Sequence, residues 1–152
     1  MSLSTQQINK ILGENNVTQK NFIGTYPACM HPLTNKKIYS FITNTDDHYS
    51  GGTHWNAWFV KNDTLAFFDS YGRSYKHAHF PRYYANLAKE FKETKYSTVQ
   101  IQSVDSWTCG HFCVNFIYSQ SLGIEYKDFI TYFSNILHAN DIVVLEFIDS
   151  II

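Results

Sequence analysis

The chain has few charged residues and no excess of either sign, which narrows the classes of partner it can bind. Of 152 residues, 16% are charged, and 12 Lys and Arg face 13 Asp and Glu, so the formal net charge is −1. Proteins that neutralise nucleic-acid phosphates normally carry a basic excess or a basic cluster. The longest basic run here is Lys36-Lys37. We therefore do not expect a nucleic-acid-binding surface.

Cysteines are also scarce, and the apolar runs are short. Cys29, Cys109 and Cys113 are an odd number without a CxxC pair, which indicates a reducing, intracellular setting rather than a disulfide framework. The first residues have neither the basic region nor the apolar region of a secretory signal. No apolar run approaches the roughly 20 residues of a membrane span. We expect a protein that is neither secreted nor inserted in a membrane.

Aromatic residues, in contrast, are abundant. They make up 17% of the chain, as 11 Tyr, 12 Phe and 3 Trp, and they supply material for a packed core. A chain of this length is one domain by size and buries about two thirds of the surface that its unfolded form exposes. We predict a single domain over residues 1–152.

The order of local patterns predicts both helices and strands. Ser4 to Gln7 has the form of a capping box, and residues 21–35, with two prolines and no period, are predicted to be a loop. The remaining predicted elements are strands 37–44, 54–61, 64–71 and 97–102, and helices from Pro81, over 109–122, over 128–136 and over 140–151. We expect residues 46–52 to form a turn, 89–95 a solvated charged stretch, and Asn140 or Asp141 the cap of the last helix.

The hairpin of strands 54–61 and 64–71 brings two polar residues together. With Asn62 and Asp63 at its tip, residues whose numbers sum to about 125 face each other. His54 then lies opposite a position near Tyr71, close to Asp69. An imidazole is thereby predicted to lie beside a carboxylate that can hold its ring in one tautomer.

Cys109 begins an apolar helical pattern just beyond the predicted strand 97–102. A thiol at a helix N-terminus meets the positive end of the helix dipole, which favours the thiolate. His54 supplies an imidazolium for an ion pair, and Asp69 orients it. Gln102, seven residues before the thiol, can offer its side-chain amide to a developing oxyanion beside the Cys109 backbone amide. These four residues are the predicted catalytic set.

Each of these residues also has a structural reading. A cysteine on an apolar helix is most often a core residue, which is the reading we adopt for Cys113. Asp69 precedes Ser70-Tyr71-Gly72 and has the composition of a turn former. His77 and His79 lack a third and fourth ligand at metal-site spacing, so we predict a surface loop and no metal. A catalytically inactive scaffold that binds through an aromatic cleft stays open as an alternative.

The motifs together resemble a known family. Gly51-Gly52-x-His54-Trp55, Phe68-Asp69-x-Tyr71-Gly72, Gln102 before Cys109-Gly110-x-Phe112-Cys113, and the loop of residues 22–26 (FIGTY) are similar to the adenovirus-type cysteine endopeptidases, the adenain family. The likeness runs from about residue 3 to residue 122, and the Ulp/SENP-type proteases are more distant relatives of that family.

The resemblance implies an α+β, papain-like (adenain-like) cysteine protease fold with a central mixed sheet and flanking helices. It implies that Trp55, Gly51 and Gly52 belong to the substrate cleft, which narrows around glycine. The implied activity is an endopeptidase that cleaves viral capsid or core precursors at glycine-containing sites during virion maturation. The implied source is a virophage, another DNA virus or a virus-like transposon. We expect a monomer in the virion and in the cytoplasm or nucleus of the infected cell.

The sequence departs from the family pattern at the acidic residue and at the site where an activating peptide would attach. Asp69 stands where the adenovirus enzymes usually have Glu, and deSUMOylating relatives use Asp. No cysteine lies between Phe91 and Thr108, where the family's activating peptide attaches through a disulfide. We expect no required cofactor, and a peptide activator or DNA stays open as an alternative. A deconjugase of ubiquitin-like modifiers, which also cuts after Gly-Gly, is the alternative enzyme.

Overall fold

The fold is built on a five-stranded mixed sheet. The computed structural model describes residues 2–47 and 52–152. The strands are β1 (Phe22–Pro27), β2 (Ile38–Asp47), β3 (Gly52–Lys61), β4 (Thr64–Phe68) and β5 (Glu93–Lys95). They are adjacent in chain order; β2, β3 and β4 are antiparallel, whereas β1 pairs parallel to β2 and β5 parallel to β4. The predicted α+β class with a central mixed sheet is confirmed.

Helices cover both faces of the sheet. They are α1 (Thr5–Glu14), α2 (Arg82–Ala88), α3 (Cys109–Ser121), α4 (Tyr126–Tyr132) and α5 (Leu137–Ile151). Because side chains alternate along a strand, β3 sends Trp55, Ala57 and Phe59 into the core shared with α1, α3, α4 and α5, and Trp58 and Val60 into the core shared with α2. Within the described residues, no helix is long and apolar enough to cross a bilayer.

Three local predictions are confirmed at the level of single residues. Ser4 caps α1 through the predicted box, in which its hydroxyl accepts from the Gln7 amide and the Gln7 side chain accepts from the Ser4 amide. The hairpin has the predicted register, with Ala57 opposite Phe68, and Asn62 at its tip takes a left-handed φ of 57°. The predicted helix over 109–122 begins at Cys109.

Other boundaries were wrong because pairing partners far along the chain decide edge strands. Residues 22–27, predicted to be loop, form β1 against β2, with an irregular register that a periodicity search does not detect. Within the predicted charged stretch, residues 93–95 pair with β4 as an edge strand whose end residues are exposed. The predicted strand 97–102 lies outside the sheet, and β4 ends at Phe68 rather than Tyr71.

The last two helices begin earlier than predicted. Glu125 is the N-cap of α4, which ends at Tyr132 because Phe133 is extended. Ile136 is the N-cap of α5, so neither Asn140 nor Asp141 caps it. Both side chains bond to other segments instead, since the Asn140 amide donates to the Ile101 carbonyl oxygen at 3.0 Å and Asp141 accepts from Thr108 at 2.9 Å.

Gly72 allows the loop after β4 to press against residues 98–102. Its φ is +75°, and a Cβ at this position would lie 2.7 Å from the backbone nitrogen of Gln100 and from the carbonyl carbon of Val99. The loop is also tied by the Ser70 carbonyl oxygen, which accepts from the Ile101 and Gln102 amides at 2.9 and 3.1 Å. Residues 69–72 are thereby held beside the segment that leads to α3.

Alanine substitutions at three glycines separate steric overlap from backbone strain. Gly72→Ala introduces both and should lower the free energy of unfolding by about 2–4 kcal/mol. Gly123 has a φ of +85° with open space around it, so Gly123→Ala should cost about 1 kcal/mol. Gly13 lies in α1 with open space around it, so Gly13→Ala should stabilise by about 0.5 kcal/mol. Denaturant unfolding measures all three, and equal effects at Gly72 and Gly123 would contradict the close approach.

Candidate active site

Three separate segments bring a thiol, an imidazole and a carboxylate together. His54 comes from β3, Asp69 directly follows β4, and Cys109 is the first residue of α3. The His54 Nε2 atom lies 2.5 Å from the Asp69 Oδ1 atom, and the His54 side chain also hydrogen-bonds the Cys109 side chain. Since Nε2 is used by Asp69, Nδ1 is the ring nitrogen left for the sulfur. The sequence-predicted triad is therefore brought together in space.

The plane of the imidazole is fixed by a neighbouring ring. Tyr71 stacks on His54 with centroids 5.1 Å apart and an interplanar angle of 20°. The His54 side chain is only 7% exposed. The ring is thus held at both nitrogens and on one face, so that rotation about its side-chain bonds is restricted.

Asp69 is a fully buried carboxylate with both oxygens engaged. Oδ1 accepts from His54 and, at 2.9 Å, from the Asn56 side-chain amide. Oδ2 accepts from the Arg73 backbone amide at 3.1 Å and from Arg73 Nε at 2.9 Å. The Asn56 amide oxygen accepts in turn from Thr45 and Tyr84 at 3.0 and 3.1 Å. This network leaves Asp69 little freedom to turn away from His54.

The local electrostatics favour a charged imidazole and a charged carboxylate. Burial lowers the pKa of His54, but its hydrogen bonds to Asp69 and Cys109 outweigh burial and raise that pKa to about 9. Burial raises the pKa of Asp69, but His54 and Arg73 lower it to about 2. Near neutral pH, His54 is therefore an imidazolium and Asp69 a carboxylate.

The side chain of Gln102 bonds to Ser70 and Ser106 rather than to the three groups themselves, and it is not among the residues that line the groove described below. It is fully buried, and its Oε1 accepts from the Ser70 hydroxyl at 2.5 Å. Its Nε2 donates to the Ser106 carbonyl oxygen at 3.2 Å and to the Ser106 hydroxyl at 3.0 Å. Gln102 braces the loop before Cys109, and a role toward an oxyanion stays a prediction.

The start of α3 is anchored by a second buried carboxylate. Asp141 of α5 accepts from the Thr108 hydroxyl at 2.9 Å and from the Ser106 hydroxyl at 3.2 Å. Thr108 is the N-cap of α3, so this contact fixes the residue that directly precedes Cys109. One turn further along, Cys113 is fully buried and donates to the Trp55 carbonyl oxygen. This contact agrees with its prediction as a core residue.

A groove of about 760 Å³ opens above His54 and Cys109. Its walls include the first residues of the chain, the loop 104–107 and three aromatic side chains. The lining residues are Ser2, Leu3, Ser4, Thr5, Asn44, His54, Trp55, Tyr71, Val104, Asp105, Ser106, Trp107 and Cys109.

Of the three predicted substrate-binding residues, Trp55 lines the groove. The indole of Trp55 packs on Gly110. A Cβ added to Gly110 would lie 3.2 Å from the Cδ1 atom of Trp55. Gly52 begins β3, and Gly51 lies outside the described residues. No group of three or more His, Cys, Asp or Glu side chains in the described part of the chain has the arrangement of a metal site.

Sequence reasoning missed Asn56 and Arg73, although both have recognisable signals. Asn56 follows His54 by two residues on the same strand, so both side chains leave the same face. Arg73 follows Asp69 by four residues, a spacing at which opposite charges pair around a tight loop as well as on a helix. The hairpin register places Tyr71 near His54, but it does not predict that Tyr71 stacks on the imidazole.

The comparisons with solved structures agree on the fold. The ASFV pS273R protease matches with a TM-score of 0.66 at 15% identity, covering 92% of this chain and 64% of that one. ChlaDub1 from Chlamydia trachomatis matches with a TM-score of 0.54 at 15% identity, covering 99% of this chain and 77% of that one. This chain thus corresponds to less than two thirds of the length of the ASFV protein.

Comparisons of the amino-acid sequence with protein families and with curated proteins give no match. The solved structures show that the chain shares an α+β fold with the ASFV pS273R protease and with ChlaDub1. They do not single out the adenovirus-type branch, so membership of that branch stays a prediction.

Alkylation of Cys109 tests whether His54 activates the thiol. In a Cys29→Ser background, which removes the exposed thiol, iodoacetamide should label Cys109 rapidly near pH 6. His54→Ala should slow this labelling at least about tenfold, because an unpaired thiol is mostly protonated at that pH. Peptide-level mass spectrometry gives both rates. His79→Ala removes an exposed imidazole that does not line the groove and should change nothing; equal slowing in both variants would contradict activation.

The dependence of the unfolding free energy on pH, at acidic pH, tests whether Asp69 is ionised in the folded protein. Its pKa lies at about 2 in the folded protein against 3.8 unperturbed. The resulting stabilisation is therefore present above about pH 4 and lost as pH falls toward 2. The difference in unfolding free energy between the wild type and Asp69→Asn should shrink by roughly 2 kcal/mol over that range. Urea unfolding at a series of pH values measures it, and a constant difference would contradict an ionised, paired Asp69.

Proposed function

We propose that this protein is a cysteine endopeptidase with Cys109 as the nucleophile. The observation that carries the proposal is the single imidazole of His54, which hydrogen-bonds both the thiol and a buried carboxylate. A nucleophile, a base and a residue that orients the base form the arrangement by which thiols are activated for acyl transfer. The protease fold of the neighbouring solved structures agrees with this reading.

The geometry supports a two-step reaction. The Cys109 sulfur attacks the peptide carbonyl carbon, and the C–N bond breaks as His54 gives its Nδ1 proton to the departing amine. Water then attacks the thioester carbonyl while neutral His54 takes a proton from it, and the C–S bond breaks to release the carboxylic acid. Asp69 holds His54 in place through both steps and stabilises its charged form.

The substrate that we propose is a viral capsid or core precursor, cut at a glycine-containing site during virion maturation. Support comes from the motifs shared with the adenain family and from the groove, where Trp55 and Tyr71 form part of the wall above Cys109. Aromatic walls of this kind exclude large side chains by overlap, which would favour glycine. On this proposal the protein acts in the virion and the infected cell, as a monomer and without a required cofactor.

A deconjugase of ubiquitin-like modifiers is the second candidate. The similarity of fold to ChlaDub1, which covers 99% of this chain, supports this second candidate. Both candidates share the same chemistry at Cys109, and they differ in what occupies the groove. A modifier presents a folded domain with a Gly-Gly tail, whereas a precursor presents an extended internal segment.

Two substrates distinguish the candidates. One is a peptide with an internal Leu-x-Gly-x-Gly segment, and the other is a ubiquitin-like modifier fused through Gly-Gly to a reporter. We expect cleavage of the peptide after glycine, with loss of at least roughly 1,000-fold in Cys109→Ala. The products are located by mass spectrometry.

Matched controls define the outcome of this assay. Cys29→Ser removes an exposed thiol and should keep full activity, which ties cleavage to Cys109. Exclusive cleavage of the modifier fusion would favour the second candidate. Cleavage that survives Cys109→Ala, or no cleavage of either substrate, would overturn the proposed function.

A further inference from the structure

The arginine behind the carboxylate has contacts that the reaction outlined above does not use. Arg73 Nε lies 2.9 Å from Asp69 Oδ2, and its Nη2 lies 3.3 Å from Asp69 Oδ1. The Asp69 side chain is fully buried, and that of Arg73 is only 17% exposed. A buried carboxylate is thus shared by two cations, His54 at one oxygen and Arg73 mainly at the other.

The guanidinium is also fixed in place by aromatic rings. Its central carbon lies 5.3 Å from the centroid of Tyr71 and 4.7 Å from that of Phe80, distances at which a cation is attracted to a ring. Tyr71 in turn stacks on His54. Arg73 therefore reaches the imidazole by two routes, through Asp69 and through Tyr71.

We propose that Arg73 is a positioning residue that divides the charge of Asp69 between itself and His54. A carboxylate that served His54 alone would bind the imidazolium more tightly. The imidazolium must persist beside the thiolate and yet release its proton to a leaving amine, and a proton held too tightly makes a poor general acid. Arg73 would set this balance without touching the substrate. The catalytic meaning rests on the proposed function, whereas the charge division itself does not.

Other titratable groups surround this cluster, and each is the same in all the variants compared below, although Cys109 is alanine throughout the NMR series. They approach from each of the packed elements and from the loop itself. They are Cys109 and Cys113 of α3, Tyr84 of α2, Tyr126 of α4, Asp141 of α5, and Tyr71 and His77 of the loop.

Replacing the side chain at position 73 tests the charge without releasing Asp69. The backbone amide of residue 73 donates to Asp69 Oδ2 at 3.1 Å, and this bond is available to every variant. Arg73→Gln removes the charge, and Arg73→Lys retains it. Lys76→Gln removes a nearby exposed charge and is the matched control.

The readout is the titration midpoint of His54, followed by NMR of its Cε1–H group in a Cys109→Ala background. That background removes the thiol, so the result does not depend on proteolysis. His54→Gln identifies the resonance among the seven histidines. Arg73→Gln should move the midpoint upward by about one pH unit, because the Asp69 carboxylate then has His54 as its only cationic side-chain partner among the ion pairs described. Arg73→Lys and Lys76→Gln should move it by less than about 0.3 unit.

Several results would overturn the proposal. An unchanged or lower midpoint in Arg73→Gln would show that Arg73 only supports the fold, and an equal shift in Arg73→Lys would show that charge is not the cause. If Arg73→Gln does not fold, Arg73→Met, which keeps an apolar stem for Tyr71 and Phe80, carries the same test.

A kinetic arm relates the charge division to catalysis. In the thiol-containing protein, Arg73→Gln should move the alkaline limb of kcat/KM upward and lower kcat more than it changes KM. A wild type that cleaves neither the peptide nor the modifier fusion would refute the proposed function, while a shifted midpoint in the NMR titration would still support the charge division.

Discussion

The hydrogen-bonded ion pair between Asp69 and His54 is the interaction on which the site depends. It holds one ring nitrogen and thereby aims the other at Cys109. The pair exists because the β3–β4 hairpin has a fixed register, so that a one-residue slip would send His54 to the opposite face of the sheet. Beyond β4, Gly72 lets the loop that carries Asp69 dock on the segment leading to α3. Hairpin, loop and helix thus meet at one buried carboxylate.

Burying these charged side chains costs free energy, because each loses its hydration. Asp69, His54 and Arg73 all lose most of their contact with water, and buried ion pairs regain only part of the desolvation cost through mutual attraction. Every oxygen of Asp69 is therefore hydrogen-bonded, and Asn56 links the carboxylate to Tyr84 of α2. Groups whose pKa values are shifted by burial and by a specific charge partner are typical of functional sites, and this cluster lies beside an open groove.

Much of this arrangement follows from local sequence. The hairpin tip fixes which residues face each other, and the apolar pattern after Trp107 places Cys109 at the start of a helix. The edge strands β1 and β5 could not be predicted from local sequence, because each forms by pairing with one strand elsewhere in the chain and lacks a clear periodicity of its own. The network around Gln102 was also beyond prediction, since Ser70 and Ser106 approach it only after the loops have packed. Local patterns thus predict the elements and the triad, and tertiary packing determines what surrounds them.

The central claim is that Asp69 holds His54 in its charged form beside Cys109. The most direct test is the titration midpoint of His54 in the wild type and in Asp69→Asn, followed by NMR of its Cε1–H group. The account predicts a midpoint of about 9 in the wild type and a clearly lower one in Asp69→Asn, because the carboxylate no longer opposes the effect of burial. A wild-type midpoint near the ordinary value of about 6.5, and the same in both proteins, would contradict it.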